Sequence, residues 1–170
     1  MTGPRVVLVG PPGSGKSTVA ILLAERLGLA SRDTDDDVTR LAGQSIADVF
    51  LEHGEEAFRA LESQAVRAAL DERGGVLAVG GGAVLDAEVR ELLAGHTVVF
   101  LDVSISDAAP RIGFNRDRPL LLGNVRGQWV QLMEARRPFY NEVASVRVDT
   151  DGKTPEEVAD EVLRLLPPAP

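Results

Sequence analysis

The 170-residue sequence contains no cysteine. This absence excludes a disulfide framework, a catalytic thiol and a metal site made of thiolates. Histidine is nearly absent too, and the two isolated residues His53 and His96 cannot build a zinc centre. The region after Met1 also lacks the apolar segment and cleavage site of a signal peptide. We therefore expect a cytoplasmic protein.

Long hydrophobic runs are missing as well. No apolar run approaches the roughly 20 residues that a membrane-spanning helix needs, so we expect no membrane partner. Acidic residues outnumber basic ones by 26 to 18, and the net charge of −8 argues against general affinity for nucleic acid or anionic lipid. Any phosphate chemistry must therefore depend on locally concentrated cations.

The size of the chain favours a single domain. With 44% apolar residues, 170 residues suffice for one well-buried core but are few for two ordinary domains. We expect one domain over residues 1–170, with its core at about 5–166 and a disordered tail at 167–170. A chain of this size is also expected to be a monomer.

Short apolar runs alternate with segments of helical periodicity. Strands are predicted at 5–10, 29–34, 76–79, 97–102 and 145–149. Helices are predicted at 17–27, 55–72, 86–93, 128–137 and 155–166, and a further helix is predicted to start in the stretch 45–50. Gly28 is the expected stop of the first helix, and Ser45, Asp86 and Thr154 are the expected caps of later ones. This alternation predicts an α/β domain with a largely parallel sheet. The polar, glycine-bounded segment 113–127 is predicted to be a mobile loop.

The stretch Gly10-Pro11-Pro12-Gly13-Ser14-Gly15-Lys16-Ser17 matches the phosphate-binding loop (P-loop) pattern in full, and Thr18 follows it. A strand is predicted before it and a helix after it, as the pattern requires. The glycines let backbone N–H groups converge on a phosphate, to which the helix N-terminus adds its positive end. Lys16 reaches the β- and γ-phosphates and the Ser17 hydroxyl ligates Mg²⁺. The sequence thus predicts binding of a nucleoside triphosphate.

Other features narrow the class of P-loop protein. The Asn-Lys-x-Asp motif of guanine-specific GTPases is absent, and the chain is too short for an oligomeric ATPase module. A small-molecule kinase remains.

Six motifs occur in the order seen in the shikimate kinase family, which the chain resembles over residues 6–166. They are the P-loop, Asp33-Thr34-Asp35, Phe58-Arg59-Ala60-Leu61-Glu62, Gly80-Gly81-Gly82-Ala83-Val84, Arg118-Pro119-Leu120-Leu121, and Arg136 before Pro138-Phe139-Tyr140. The resemblance implies a P-loop NTPase fold with a five-stranded parallel sheet flanked by helices. It also implies transfer of the ATP γ-phosphate to the 3-hydroxyl of shikimate with Mg²⁺.

The resemblance assigns roles on the nucleotide side. Asp33 stands with Ser17 at the metal, and Arg118 acts from a lid at about 113–127 that closes over the phosphates, close to Arg116. The remaining nucleotide contacts are Gly13, Ser14, Gly15, Lys16, Thr18, Arg111 and Lys153. Pro110 departs from the family pattern before Arg111, and Lys153 is equally well explained as a surface lysine.

On the acceptor side, the resemblance assigns Asp35, Arg59, Gly80, Gly81, Gly82 and Arg136 to shikimate. Asp35 orients the attacking hydroxyl, and the two arginines bind the carboxylate. Simpler alternatives exist: Arg59 pairs with Glu55 or Glu62 on an exposed helix, and the glycines form a flexible turn. Asp36 and Asp37 are expected to belong to a solvated helix start.

Two other functions compete with this one. The first is a kinase for another small polyol acid such as gluconate, against which the triple glycine and the Phe-Arg-x-x-Glu motif speak. The second is a nucleotide-binding regulator without catalysis, against which the retention of Lys16, Ser17, both aspartates and Arg118 speaks.

Overall fold

The computed structural model describes residues 3–112 and 124–169. Five strands occur in these ranges: β1 (Val6–Val9), β2 (Ser31–Asp33), β3 (Val76–Ala78), β4 (Val98–Asp102) and β5 (Val146–Asp149). They form one parallel sheet in the order β2-β3-β1-β4-β5. The predicted five-stranded parallel sheet is confirmed.

The helices alternate with the strands, but those at 34–42 and 105–112 were not among the helices predicted from the sequence. They are α1 (Lys16–Leu27), α2 (Thr34–Ala42), α3 (Ile46–Leu70), α4 (Ala87–Leu93), α5 (Ile105–Ile112), α6 (Val125–Val143) and α7 (Pro155–Leu165), with a 3₁₀ turn at Ala83–Leu85. None of them, within the described ranges, is both long and apolar enough to cross a bilayer. Helix α3 breaks at Gly54 (φ 85°, ψ 174°), so the prediction of two successive helices is confirmed. The predicted caps Ser45, Asp86 and Thr154 each accept a backbone hydrogen bond.

Two hydrophobic layers cover the sheet, because alternate strand residues face opposite sides. One face packs against α1 and α7 through side chains that include Val6, Leu8, Ala78, Leu101 and Val148. The other face packs against α3, α4 and α6 through side chains that include Val7, Val9, Leu77, Val79 and Phe100. The sheet is therefore buried on both sides, which leaves its edges and strand ends for ligands.

Strand β2 lies at the edge of the sheet, has three residues and is more polar than the central strands. It ends at Asp33, and Asp35 already belongs to the first turn of α2. The two aspartates therefore belong to different elements and do not project from one extended strand. The prediction that Asp37 is solvated is wrong, since its carboxylate is buried between Arg32 at 2.7 Å and Arg40 at 3.0 Å, whereas Asp36 is exposed.

The loop predicted at 113–127 ends earlier than predicted, because helix α6 already begins at Val125. Residues 113–123 lie outside the described residues, but Asn124 caps α6 by accepting a hydrogen bond from the Gly127 N–H. Helix α6 also extends beyond the predicted end at residue 137, through Pro138. Burial of Met133, Tyr140 and Val143 in the core offsets the penalty of about 3 kcal/mol for proline within a helix. At the C-terminus, the Pro167 carbonyl accepts a hydrogen bond from Arg5.

Candidate active site

The P-loop joins β1 to α1 at the carboxyl edge of the sheet. Gly13 and Gly15 have φ values of 85° and 86°, a region that glycine enters without strain, and Gly15 is the N-cap of α1. A β-carbon at Gly13 would also lie 3.0 Å from the Ala108 backbone oxygen. These glycines allow the loop to curve so that its N–H groups and the start of α1 can face an anion.

The loop borders a cavity of about 580 Å³. The walls contain every residue that the sequence assigns to the nucleotide and metal, apart from Arg118: Gly13, Ser14, Gly15, Lys16, Ser17, Thr18, Asp33, Arg111 and Lys153. Asp35 and Gly80, assigned to the acceptor, line the same cavity. Arg118 and its neighbour Arg116 lie outside the described residues.

Lys16 turns back onto its own loop. Its Nζ donates hydrogen bonds to the Gly10 carbonyl at 2.7 Å and the Pro11 carbonyl at 3.2 Å. These bonds hold the ammonium group at the cavity wall, where it supplies one of the local cations that an acidic phosphate-binding protein requires.

Ser17 and Asp33 are in direct contact, and the Ser17 hydroxyl donates to Asp33 Oδ2. Burial raises the pKa of Asp33, while the hydrogen bond from Ser17 opposes that shift. No group of three or more acidic or histidine side chains among the described residues could hold a metal alone. A hydroxyl and one carboxylate instead fit Mg²⁺, which takes most of its other ligands from phosphates and water.

Arg111 and Lys153 also line the cavity. Arg111 donates to the Gly13 carbonyl at 3.1 Å, so Pro110 in the preceding turn does not keep it from the P-loop. Lys153 donates to the Asp149 carbonyl at 2.7 Å and to Glu161 at 2.8 Å. Lys153 lines the cavity. Its hydrogen bonds to Asp149 and Glu161 are also those expected of a surface lysine with a structural role.

Side chains from other elements pack against the Gly80–Gly82 turn, in the space that side chains of the turn itself would occupy. A β-carbon at Gly80 would lie 2.5 Å from Glu62 Oε2 and 2.9 Å from Asp35 Oδ1. At Gly82 it would lie 2.5 Å from the Cζ atom of Arg59. The turn is also fixed by a hydrogen bond of 2.9 Å from the Gly80 N–H to the Thr34 hydroxyl. The glycines thus leave space beside the turn for the side chains of Asp35, Arg59 and Glu62.

Arg59 has contacts that bear on both interpretations of its position in the sequence, namely ion pairs along α3 and proximity to the glycine turn. It pairs with Glu62 at 2.8 Å and with Glu55 at 3.5 Å along α3, and its guanidinium also lies against Gly82. Its Nε is buried and has no hydrogen-bond partner among the described residues. Glu62 is only 2% exposed, and this burial raises its pKa, although the charge of Arg59 opposes the shift.

Arg136 approaches the same turn from α6. It is 6% exposed, and burial lowers its pKa, to which the positive charge of Arg59 contributes. A β-carbon at Gly81 would lie 3.5 Å from Arg136 Nη1. Tyr140, one turn later, accepts a hydrogen bond from Arg136 and donates one of 2.5 Å to the Gly81 carbonyl. Burial raises the pKa of Tyr140 to about 12, so the hydroxyl keeps its proton at neutral pH.

Helix α6 also contacts the P-loop and the central sheet. The indole N–H of Trp129 donates to the Pro12 carbonyl at 2.9 Å. Near the other end of α6, Arg137 bonds Asp102 at 2.7 Å, and Arg147 on β5 bonds the same carboxylate. Helix α6 therefore contacts both the P-loop and the Gly80–Gly82 turn.

Sequence reasoning did not assign Glu62, Thr34, Trp129 or Tyr140 to the site. Glu62 lies within the Phe-Arg-x-x-Glu motif, and its buried position on α3 is the signal that could have identified it. Tyr140 is the only tyrosine and Trp129 the only tryptophan, and both occur on the helix that carries Arg136.

Comparison with known proteins agrees with this arrangement. The family model for shikimate kinase matches residues 12–167. A shikimate kinase of Streptomyces avermitilis is 60% identical over 98% of this chain and 97% of its own, and one of Streptomyces coelicolor is 56% identical over 96% and 95%.

Solved structures give the same result. A shikimate kinase from Acinetobacter baumannii, in complex with shikimate, has a TM-score of 0.93 at 34% identity and covers 97% of this chain and 93% of its own. An APS kinase of Mycobacterium tuberculosis, with a TM-score of 0.56 at 20% identity over 98% and 99%, shares the fold alone.

Proposed function

The chain belongs to the shikimate kinase family, and on that premise we propose that it transfers the γ-phosphoryl group of ATP to the 3-hydroxyl of shikimate, with Mg²⁺ as the metal. The observation that carries the proposal is the position of Gly80–Gly82. Gly80 lines the P-loop cavity, while Gly81 and Gly82 lie against Arg136 and Arg59. A phosphate donor and an acidic acceptor would therefore meet at one turn.

On the donor side, the P-loop N–H groups and Lys16 bind the β- and γ-phosphates. Lys16 exchanges its bonds to the Gly10 and Pro11 carbonyls for bonds to phosphate oxygens. Ser17 and Asp33 would hold Mg²⁺, which would neutralise charge on the phosphates. Arg111 and Lys153 contact the rest of the nucleotide, and the family motif assigns Arg118, which lies outside the described residues, to the phosphates.

On the acceptor side, the guanidinium groups of Arg59 and Arg136 bind the carboxylate of shikimate. The buried Nε of Arg59 is a donor that a carboxylate can satisfy, and a planar guanidinium orients a carboxylate as well as binding it. Asp35 borders both the cavity and Gly80, where it can accept a hydrogen bond from a ring hydroxyl.

The chemical step forms a bond from the acceptor oxygen to the γ-phosphorus and breaks the bond from that phosphorus to the bridging oxygen of ADP. The hydroxyl loses its proton as the new ester forms. Positioning and electrostatic stabilisation supply most of the acceleration in such reactions. Here Asp35 orients the hydroxyl, while Lys16 and Arg118 stabilise charge on the transferring group.

The proposal also includes a monomer that binds neither nucleic acid nor membranes. The net charge of −8 supports weak affinity for polyanions. Because the reaction consumes ATP, we place it in the cytoplasm. Light scattering during gel filtration measures the mass directly, and a dimer would overturn the monomer.

The experiment that tests the function measures ADP release with Mg²⁺ and ATP across an acceptor panel of shikimate, quinate, gluconate and nucleoside monophosphates. Turnover with shikimate alone is expected. Turnover with gluconate instead would retain the P-loop assignment and overturn the acceptor site. Tight ATP binding with no turnover on any acceptor would favour a regulator.

A further inference from the structure

Thr150 lies directly after β5, and its side chain is only 1% exposed. Its hydroxyl donates to the Asp102 carbonyl at 2.8 Å, and its backbone N–H donates to the same carbonyl at 2.9 Å. These two bonds fix the orientation of the hydroxyl group. Because its proton points to Asp102, the oxygen presents its lone pairs in other directions.

The partner of those lone pairs is Arg111. Arg111 Nη1 lies 3.1 Å from the Thr150 hydroxyl oxygen, and Nη2 lies 3.2 Å from the Thr150 carbonyl. Nη1 also donates to the Gly13 carbonyl of the P-loop at 3.1 Å. The Asp107 carboxylate is 3.9 Å from Arg111 Nη2. Among the described residues, Thr150 thus supplies two of the three hydrogen-bond acceptors of the guanidinium.

The local backbone does little to place Arg111. It occurs in the last turn of α5, a helix of eight residues that contains Pro110. A long arginine side chain at such a position has many accessible conformations, and fixing one of them opposes binding. Bonds formed before the ligand arrives remove that penalty from the binding step.

We propose that Thr150 is a positioning residue for the nucleotide: its hydroxyl and carbonyl hold Arg111 at the wall of the P-loop cavity, against the Gly13 carbonyl. This inference rests on the proposed function in taking that cavity as the ATP site. Thr150 itself does not line the cavity, and it acts through Arg111, which does.

Replacement of Thr150 by valine removes the hydroxyl and keeps the shape of the side chain. We expect Thr150→Val to raise the Kd of MgADP, measured by calorimetry, and the KM of ATP by about three- to tenfold. The kcat and the KM of shikimate should remain within about twofold. Thr150→Ser retains the hydroxyl and is expected to restore nucleotide affinity, and Thr150→Ala provides a second variant without the hydroxyl.

Ser145→Ala is the matched control. Its hydroxyl also bonds the backbone of β4, by accepting from the Val98 N–H, but at the amino end of β4 and β5, whereas the cavity lies at the carboxyl end of the strands. Nucleotide affinity should not change in this variant. An equal loss in Ser145→Ala and Thr150→Val would show a general weakening of the sheet and overturn the inference.

A double-mutant cycle with Arg111→Ala separates positioning from a purely structural role. If Thr150 acts through Arg111, Thr150→Val has little further effect on MgADP affinity once Arg111 is removed. Additive losses in the double variant would overturn the inference while leaving the ATP site intact. Failure of the unmodified protein to bind MgADP would instead overturn the proposed function together with the inference.

Discussion

The Glu62 carboxylate receives a hydrogen bond of 2.8 Å from the Arg59 guanidinium, three residues earlier on α3. Glu62 is buried, so its carboxylate holds the arginine from the protein side. The same guanidinium lies beside Gly82, where a β-carbon would be 2.5 Å from its Cζ atom. The ion pair therefore orients a cation instead of cancelling it at the surface.

Arg59→Ala is expected to raise the KM of shikimate by about 10- to 100-fold, because a charged hydrogen-bond donor to the carboxylate is lost. The KM of ATP should change by less than about twofold, since Arg59 does not line the P-loop cavity. Steady-state kinetics with each substrate varied in turn measures both values. Arg67→Ala, on the same helix but half-exposed, is the control. An equal rise in the KM of shikimate and the KM of ATP would contradict the assignment of Arg59 to shikimate.

Gly82→Ala tests whether the Gly80–Gly82 turn must lack a side chain at this position. The added methyl group would occupy the position of the Arg59 guanidinium, which must move. We expect the KM of shikimate to rise about tenfold while the fold persists, because the end of an arginine side chain can shift. Gly95→Ala, where no atom lies within 4 Å of the added carbon, should behave like the unmodified protein. Unchanged shikimate kinetics in Gly82→Ala would contradict the assigned position of Arg59.

Lys16→Ala removes the cation nearest the proposed γ-phosphate. Loss of such a transition-state contact should lower kcat by at least about 100-fold. The far-ultraviolet circular dichroism spectrum should remain unchanged, because the bonds from Lys16 go to loop carbonyls and not to the core. Near-normal turnover would refute the role of the P-loop lysine.

Asp102→Asn is expected to change how stability depends on pH. Burial alone would raise the pKa of Asp102, but hydrogen bonds from Arg137 and Arg147 hold it below its ordinary value of 3.8. A lowered folded-state pKa stabilises the protein above 3.8, and that contribution is lost as pH falls through the folded value. The variant should be less stable by about 1–3 kcal/mol at pH 7.

Urea unfolding at pH 7 and pH 3 measures this effect. The difference between Asp102→Asn and the unmodified protein should shrink at the lower pH. A difference of the same size at both pH values would show that the carboxylate charge does not contribute.

The sequence predicted the P-loop and its helix well because the interactions that form them are local. The pattern, the start of α1 and the stop at Gly28 depend on residues that are adjacent in the chain. The pair of Arg59 with Glu62 was also predictable, since residues three apart on a helix are neighbours.

Other contacts could not be predicted because they depend on tertiary packing. Trp129 and Pro12 are separated by 117 residues, and Tyr140 and Gly81 by 59. Asp37 was placed in solvent because aspartates favour helix starts, but Arg32 on β2 and the packing of α2 bury it. The mutual arrangement of α6 and the glycine turn is likewise set by the core.

The absence of side chains at Gly80–Gly82 limits how acceptor specificity can change. A residue with no side chain cannot be shortened, so every substitution in this turn makes the space smaller. Acceptance of a bulkier substrate must therefore come from other positions, such as Arg59 or Arg136, where a shorter side chain creates room but removes a cation. Larger acceptors that keep their carboxylate would then lose affinity as the site grows. Broadening of the substrate range and retention of charge recognition are thus opposed in this architecture.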